Sequence, residues 1–208
     1  MEQRTDEWFS ERAGKVTASA IYKVMARTKT GYGADRANYH AQLVSERLTG
    51  LPADSFSNAA MQWGIDNEAQ ARAMYGLHSG MIVIETGFHN HPTIPLSGAS
   101  PDGLVGDSGL VEIKCPNTAT HIATLTGSGI DRKYLLQMQW QMACTGREWC
   151  DFSSFDPRLP QEMQLHVRRV ERDNVLISEI EEEVSKFLDE VSMTVIQLKS
   201  IYHAKEAA

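Results

Sequence analysis

The sequence predicts an α/β (α+β) fold, a central mixed β-sheet flanked by helices, and three observations predict it. Apolar residues recur at helical spacing up to Gly80. The pattern turns β-rich between Met81 and Cys115, and helix and strand signals then alternate up to a long closing helix.

Asp6–Arg12 reads as a short helix followed by a turn at Gly14. A second helix is expected from Ser19, whose hydroxyl is suited to cap Ala20 to Met25. Arg27 to Gly33 is a basic, glycine-containing loop. Asp35 to Leu48 carries Tyr39, Leu43, Val44 and Leu48 on one helical face, with Gly50 to end it. Pro52 to Ser57 is a connector. Asn58 to Met74 is the next helix, because Met61, Ile65, Ala69 and Met74 recur near helical spacing before Gly76 and Gly80 interrupt them. Met81 to Phe88, Leu96 to Val105 and Leu110 to Cys115 are strands, and Gly106-Asp107-Ser108-Gly109 joins the last two as a hairpin. Thr118–Leu125 and Tyr134–Cys144 are helical, Glu148–Phe155 and Met163–Val170 are strands, and a long helix starts near Asn174. No repeat interrupts this order, and 208 residues suit a single domain over 1–208 with one recessed site.

Composition narrows the function. The start, Met1 to Asp6, is too polar for a secretory signal, and the apolar runs are short, so a cytoplasmic protein without membrane contact is expected. Three cysteines, Cys115, Cys144 and Cys150, form no C-x-x-C pair and are one short of an iron–sulfur cluster, so they read as buried small hydrophobes. The net charge of −7 argues against a polyanionic partner. Its distribution softens the objection, since from Glu171 onward nine acidic residues face four basic ones.

The chemistry is carried by Ser100-Pro101-Asp102-Gly103 and, nine residues later, Glu112-Ile113-Lys114. These are the two arms of the expected hairpin. Glu112 and Lys114, two apart on one strand, leave the same face, and Asp102 on the adjacent strand can meet them. Two carboxylates and an ammonium suit Mg²⁺ or Mn²⁺, which bind a scissile phosphate and lower the pKa of a water, with Lys114 to orient or help deprotonate that water. The plain alternative is a hairpin that shows a Glu–Lys pair to solvent while Val111, Ile113 and Cys115 face the core.

Asp102 with Glu112-x-Lys114 is the PD-(D/E)-x-K nuclease pattern, and its surroundings resemble the lambda exonuclease and YqaJ-type viral recombinase family. The similar segments are Trp8 through Arg12 to Val16-Thr17-Ala18-Ser19, Trp63-Gly64 leading to Glu68, Ser100 to Gly103, Glu112 to Pro116, and Tyr134 to Gln139. The resemblance implies a restriction-endonuclease-like core and a phage-type alkaline exonuclease. Such an enzyme degrades the 5′-phosphorylated strand of linear double-stranded DNA and leaves a 3′ overhang for recombination. It implies two Mg²⁺ ions, with Mn²⁺ as a substitute, a homotrimeric ring, and a single-strand annealing protein as partner.

The same resemblance assigns residues. Asp102, Glu112 and the backbone carbonyl of Ile113 hold the first metal, and Glu68 helps bind the second. Gln137 contacts the nucleophilic water or the phosphate. Arg12 and Ser19, with Ser100, take the 5′-terminal phosphate, for which a guanidinium is well shaped. Met61 is a wedge at the terminal base pair. Without the family, Glu68 reads as an exposed helical carboxylate, Gln137 as a surface polar residue, Ser19 as a cap and Met61 as core.

Departures remain. Broader relatives carry Gln-x-x-x-Tyr, whereas Gln137 is followed by Gln141, and the Arg27 to Gly33 loop has no clean counterpart. His89-Asn90-His91 reads as a strand end rather than an HNH nuclease. The rival functions are a restriction-like endonuclease and a non-catalytic DNA-end-binding protein.

Overall fold

The computed structural model describes residues 3–53 and 58–206, with side chains up to residue 202. Helix α1 (Asp6–Arg12) starts at Thr5, whose hydroxyl accepts the Trp8 N–H at 3.3 Å. After Gly14 come strand β1 (Val16–Thr17), a 3₁₀ turn (Ala18–Ala20) and the four-residue α2 (Ile21–Val24). Ser19 lies inside that turn and caps nothing, because the chain enters both short helices without a side-chain cap bond. The expected loop at Arg27 to Gly33 is instead a hairpin of β2 (Arg27–Thr28) and β3 (Gly31–Tyr32). Helix α3 (Ala34–Thr49) ends at Gly50, whose φ of 71° is the left-handed stop that favours glycine. Its buried face holds Tyr39, Leu43 and Val44, but Leu48 turns outward.

Residues 54–57 of the expected connector lie outside the described residues. Helix α4 (Ala59–Ser79) is capped by Asn58 and runs through Gly76 to Gly80, five residues past the expected end. Its packing face also differs from the expected one. Ala71 and Tyr75 are buried, whereas Met61 and Ile65 are exposed, because only the C-terminal half of the helix lies on the sheet.

The β-rich span resolves into β4 (Val83–Ile84), β5 (His89–Asn90), β6 (Ser97–Ala99), β7 (Gly103–Val105) and β8 (Gly109–Lys114). Strand Met81 to Phe88 shrinks to two residues. Leu96 to Val105 is two strands in two different sheets, since Pro101 lacks the N–H that a continuous ladder needs. The turn after β7 is stapled by Arg147, which donates to the carbonyls of Gly106 at 2.6 Å and Gly109 at 2.9 Å. Then follow α5 (Thr118–Leu125), α6 (Arg132–Thr145), β9 (Trp149–Phe155), β10 (Leu165–Glu171) and α7 (Asn174–Glu206).

The main sheet has the order β10-β9-β8-β7-β4, with β8 and β9 parallel and the other pairs antiparallel. A smaller sheet, β1-β6-β5, lies beside it. Alternation along β8 sends Val111 and Ile113 to a core completed by Ala71 and Tyr75 of α4, and Leu110 to one completed by Met138 and Met142 of α6. The main sheet is therefore covered on both faces, as expected of a mixed sheet flanked by helices. At Gly103 an added Cβ would stand 2.2 Å from the Val83 side chain, so glycine is what lets β4 close on β7. A third core, around Ile21, Leu43, Trp140 and Phe187, binds α2, α3, α6 and α7 together. Among the described residues no helix is long and apolar enough to cross a membrane.

Candidate active site

The β7–β8 register brings the two halves of the motif together. Gly103 pairs with Val111, so one step further on Asp102 stands opposite Glu112. An Asp102 oxygen accepts the Ile113 N–H at 2.7 Å, which ties the end of one strand to the other. Glu112 and Lys114 share a face with Leu110, the face that α6 covers. Glu112 is accordingly fully buried, which overturns the solvent-exposed hairpin as an alternative. Two glutamines one helical turn apart meet it: Gln137 donates to Oε1 at 2.7 Å and Gln141 to Oε2 at 2.6 Å. The Lys114 ammonium touches Oε1 and lies 4.9 Å from the centre of the Tyr134 ring.

This crowding sets the electrostatics. Burial pushes the Asp102 carboxyl well above the usual carboxylate range, and the negative charges of Glu112 and Glu68 push it the same way, against Lys114 and the Ile113 N–H. Burial works against the charge on Lys114 too, but Glu112 and Asp102 outweigh it and raise its pKa. The carboxyl groups of Asp102 and Glu112 therefore meet beside Lys114, and these hard oxygen donors fit a divalent cation such as Mg²⁺ or Mn²⁺. Asp102, Glu112 and the Ile113 carbonyl are the groups able to hold it.

Among the described residues, no three His, Cys, Asp or Glu side chains converge closely enough to hold an ion by themselves. The position of Glu68 accounts for part of that. It is near enough to act on Asp102, yet its two oxygens are taken by Arg4 and, at 2.7 Å, by Arg72, which also pairs with Glu85 at 2.7 Å.

Two of the three residues expected at the 5′-phosphate, Arg12 and Ser100, are joined through Trp8. The Arg12 guanidinium lies 3.7 Å from the centre of the Trp8 ring, and the Trp8 N–H donates to Ser100 Oγ at 2.9 Å. Burial lowers the Arg12 pKa to about 10, with Tyr39 and Glu46 opposing. Among the described residues no hydrogen-bond or ion-pair partner engages that guanidinium. Ser19 is exposed, its hydroxyl 3.5 Å from that of Thr17. The Thr17 N–H donates to the Tyr39 hydroxyl at 3.2 Å, so Tyr39 connects Ser19's turn to Arg12. Met61 stands exposed in the first turn of α4.

Residues 7–148 match the YqaJ-like viral recombinase domain. The chain belongs to this family. It is similar to LHK-Exo, an alkaline exonuclease from Laribacter hongkongensis, at 53% identity with a TM-score of 0.89, over 98% of this chain and 100% of the other. It matches a structure of LHK-Exo in complex with dAMP at 54% identity and a TM-score of 0.90, with the same coverage. A phage-related exonuclease from Haemophilus somnus 129PT shares the fold, with 19% identity and a TM-score of 0.69 over 88% of this chain and 96% of the other. No curated protein matches.

The family assignment makes the chain a nuclease, a DNA exonuclease of the recombination type. The YqaJ-like match takes in every candidate residue from Arg12 to Gln137, together with three side chains that the sequence did not single out. Gln141 was visible only as a departure from Gln-x-x-x-Tyr, although its spacing of four from Gln137 puts both on one helix face. Trp8 was visible as part of a similar segment but not as the ring beneath Arg12. Arg72, four residues after Glu68, carried the ordinary signal of a helical ion pair.

Proposed function

We propose that this chain is a metal-dependent 5′-to-3′ exonuclease that degrades the 5′-phosphorylated strand of linear double-stranded DNA. It leaves 3′ single-stranded overhangs for recombination by strand annealing. The observation that carries this reading is the convergence of the half-buried Asp102 and Lys114 on the fully buried Glu112, itself held by Gln137 and Gln141. Gathering such charges around a buried carboxylate costs folding energy and is explained by a cation and a phosphate that complete the set. The dAMP bound to LHK-Exo is the class of mononucleotide that this hydrolysis releases.

Two Mg²⁺ ions, or Mn²⁺ in their place, would be held by Asp102, Glu112 and the Ile113 carbonyl, with Glu68 serving the second, and would neutralise charge on the phosphate and activate water. Lys114 holds the attacking water in line and steadies the charge that builds on the phosphate oxygens. Gln137, only half-buried, offers its amide to the water or the phosphate. Arg12, backed by Trp8, grips the 5′-terminal phosphate bidentately, with Ser100 and Ser19 as hydroxyl partners. Glu68, whose oxygens are held by Arg4 and Arg72, would serve the metal once released from them. Met61, exposed beyond that helix turn, wedges the terminal base pair. The chain works as one domain over residues 1–208, in a homotrimeric ring that encloses DNA, in the cytoplasm, beside a single-strand annealing protein.

The test is digestion of one linear duplex in Mg²⁺, labelled at either the 5′ or the 3′ end, beside a closed circle of the same sequence. Early release of 5′ label with an intact circle is expected, and Lys114→Ala should abolish cutting while still binding ends. Cutting of the circle would favour an endonuclease, and inactivity in both Mg²⁺ and Mn²⁺ would favour an end-binding protein.

A further inference from the structure

The two oxygens of Glu112 are held unequally. Oε1 faces two donors, the Gln137 amide and the Lys114 ammonium, which together use both of its acceptor directions. Among the described residues, Oε2 faces Gln141 alone, at 2.6 Å. A carboxylate offers about four acceptor directions, so one remains on Oε2. The two glutamines differ in access. Gln137 is half-buried, whereas Gln141 has no solvent exposure and cannot reach substrate. Behind Gln141, the Cys150 thiol lies 4.0 Å from the amide oxygen, which keeps the NH₂ end turned toward Glu112.

We propose that Gln141 is a positioning residue for the metal: from the interior of α6 it fixes the plane of the Glu112 carboxylate, so that the remaining acceptor direction of Oε2 serves the cation shared with Asp102. This rests on the reading of Asp102 and Glu112 as metal ligands. Without Gln141 the carboxylate is pinned at Oε1 only and can rotate, leaving Oε2 buried without a donor. Groups that orient a metal ligand in this way typically carry a 10- to 100-fold effect on affinity. Gln137 and Gln141 then divide the work, one on the side open to substrate and the other on the closed side.

The experiment measures Mn²⁺ binding to the DNA-free protein from the electron paramagnetic resonance signal of free Mn²⁺. It is run on the wild type, on Gln141→Met, which keeps the length without the donor, and on Asp102→Asn. Gln141→Met should bind Mn²⁺ roughly 10- to 100-fold more weakly. The Mg²⁺ concentration for half-maximal digestion should rise by the same factor, and kcat should recover at saturating Mg²⁺. Unchanged Mn²⁺ affinity in Gln141→Met, alongside lost binding in Asp102→Asn, would overturn the proposal while leaving the metal site intact. Equal Mn²⁺ binding by the wild type and Asp102→Asn would instead overturn the metal-site reading, and this proposal with it. If Gln141→Met loses its helical circular dichroism, Gln141→Asn, whose amide is one methylene short of Glu112, answers the question by the same readouts.

Discussion

Replacing Arg12 by methionine should make the DNA-free protein more stable and less able to tell a 5′-phosphate from a 5′-hydroxyl. Burial lowers the pKa of this guanidinium from 12.5 to about 10, a cost on the order of 3 kcal/mol to the folded state at neutral pH. Its stacking on Trp8 returns about 1 to 2 kcal/mol, and solvent at its partly exposed edge reduces the cost further. Methionine keeps an apolar contact with the Trp8 ring and removes the charge, so a net gain of about 1 kcal/mol is expected. For a chain of this length that raises Tm by roughly 2 to 4 °C, measurable by scanning calorimetry in EDTA. Because the folded pKa lies below the unfolded one, the cost is present in full below pH 10 and fades as pH rises toward 12.5. The advantage of the variant should therefore be constant between pH 6 and pH 9. In digestion, the preference for 5′-phosphate over 5′-hydroxyl ends should fall roughly 10- to 100-fold, the equivalent of one charge-assisted bidentate contact. A lower Tm with an unchanged preference would refute the reasoning, because Arg12 would then be a structural residue.

Tyr75→Phe removes a buried hydroxyl that donates to Asp151 at 2.8 Å, while Arg169 still grips that carboxylate at 2.9 and 3.0 Å. It should cost about 1 to 2 kcal/mol, seen as a lower urea midpoint with an unchanged slope. Asp156 is held down to a pKa of about 2: burial pulls against its charge, but hydrogen bonds from Arg158 and Thr118 outweigh it. A carboxylate depressed from 3.8 contributes stability above that pH and loses it as pH falls toward 2. Thermal melts should therefore show Asp156→Asn below the wild type at pH 6, with the gap closing between pH 4 and pH 2.

How much of this could be read in the sequence depended on how local the deciding physics is. Helix α1 fell at its expected residues because Thr5 caps it and Gly14 turns the chain, all within a few positions. The β7–β8 turn was legible for the same reason. The face of α4 was not, because what buries Tyr75 is Asp151 and the sheet, 76 residues away in sequence at the hydrogen bond. Nor was the break inside Leu96 to Val105, where each half satisfies strand propensity and only Pro101 hints that the ladder cannot continue. At the site, Asp102, Glu112 and Lys114 were legible because a two-residue period and one hairpin bring them together. The two arginines on Glu68 were not equally so. Arg72 is one helical turn away, but Arg4 arrives from 64 residues upstream.

The net charge of −7 was the strongest compositional argument against a polyanionic substrate, and the fold shows how that charge is distributed. Along α7, Glu183 binds Arg27 and, at 2.9 Å, the Tyr32 hydroxyl, which fastens the β2–β3 hairpin. Glu190 binds Arg36 from α3, and Glu181 lies 3.2 Å from a His91 nitrogen. These three carboxylates work as internal clamps between α7 and the elements that precede it; each arginine pair cancels one positive charge with one negative, so the clamps change where the charge lies and leave its sum as it was. A second group, Asp102, Glu112 and Glu68, lies around the proposed metal position, where bound cations would reverse the sign of the local field. By contrast, Arg12 has an aromatic ring beneath it and, among the described residues, no carboxylate in ion-pair contact, which suits the phosphate role proposed for it. What a DNA end meets is the local charge around its site, and a formal sum over the sequence measures a different quantity.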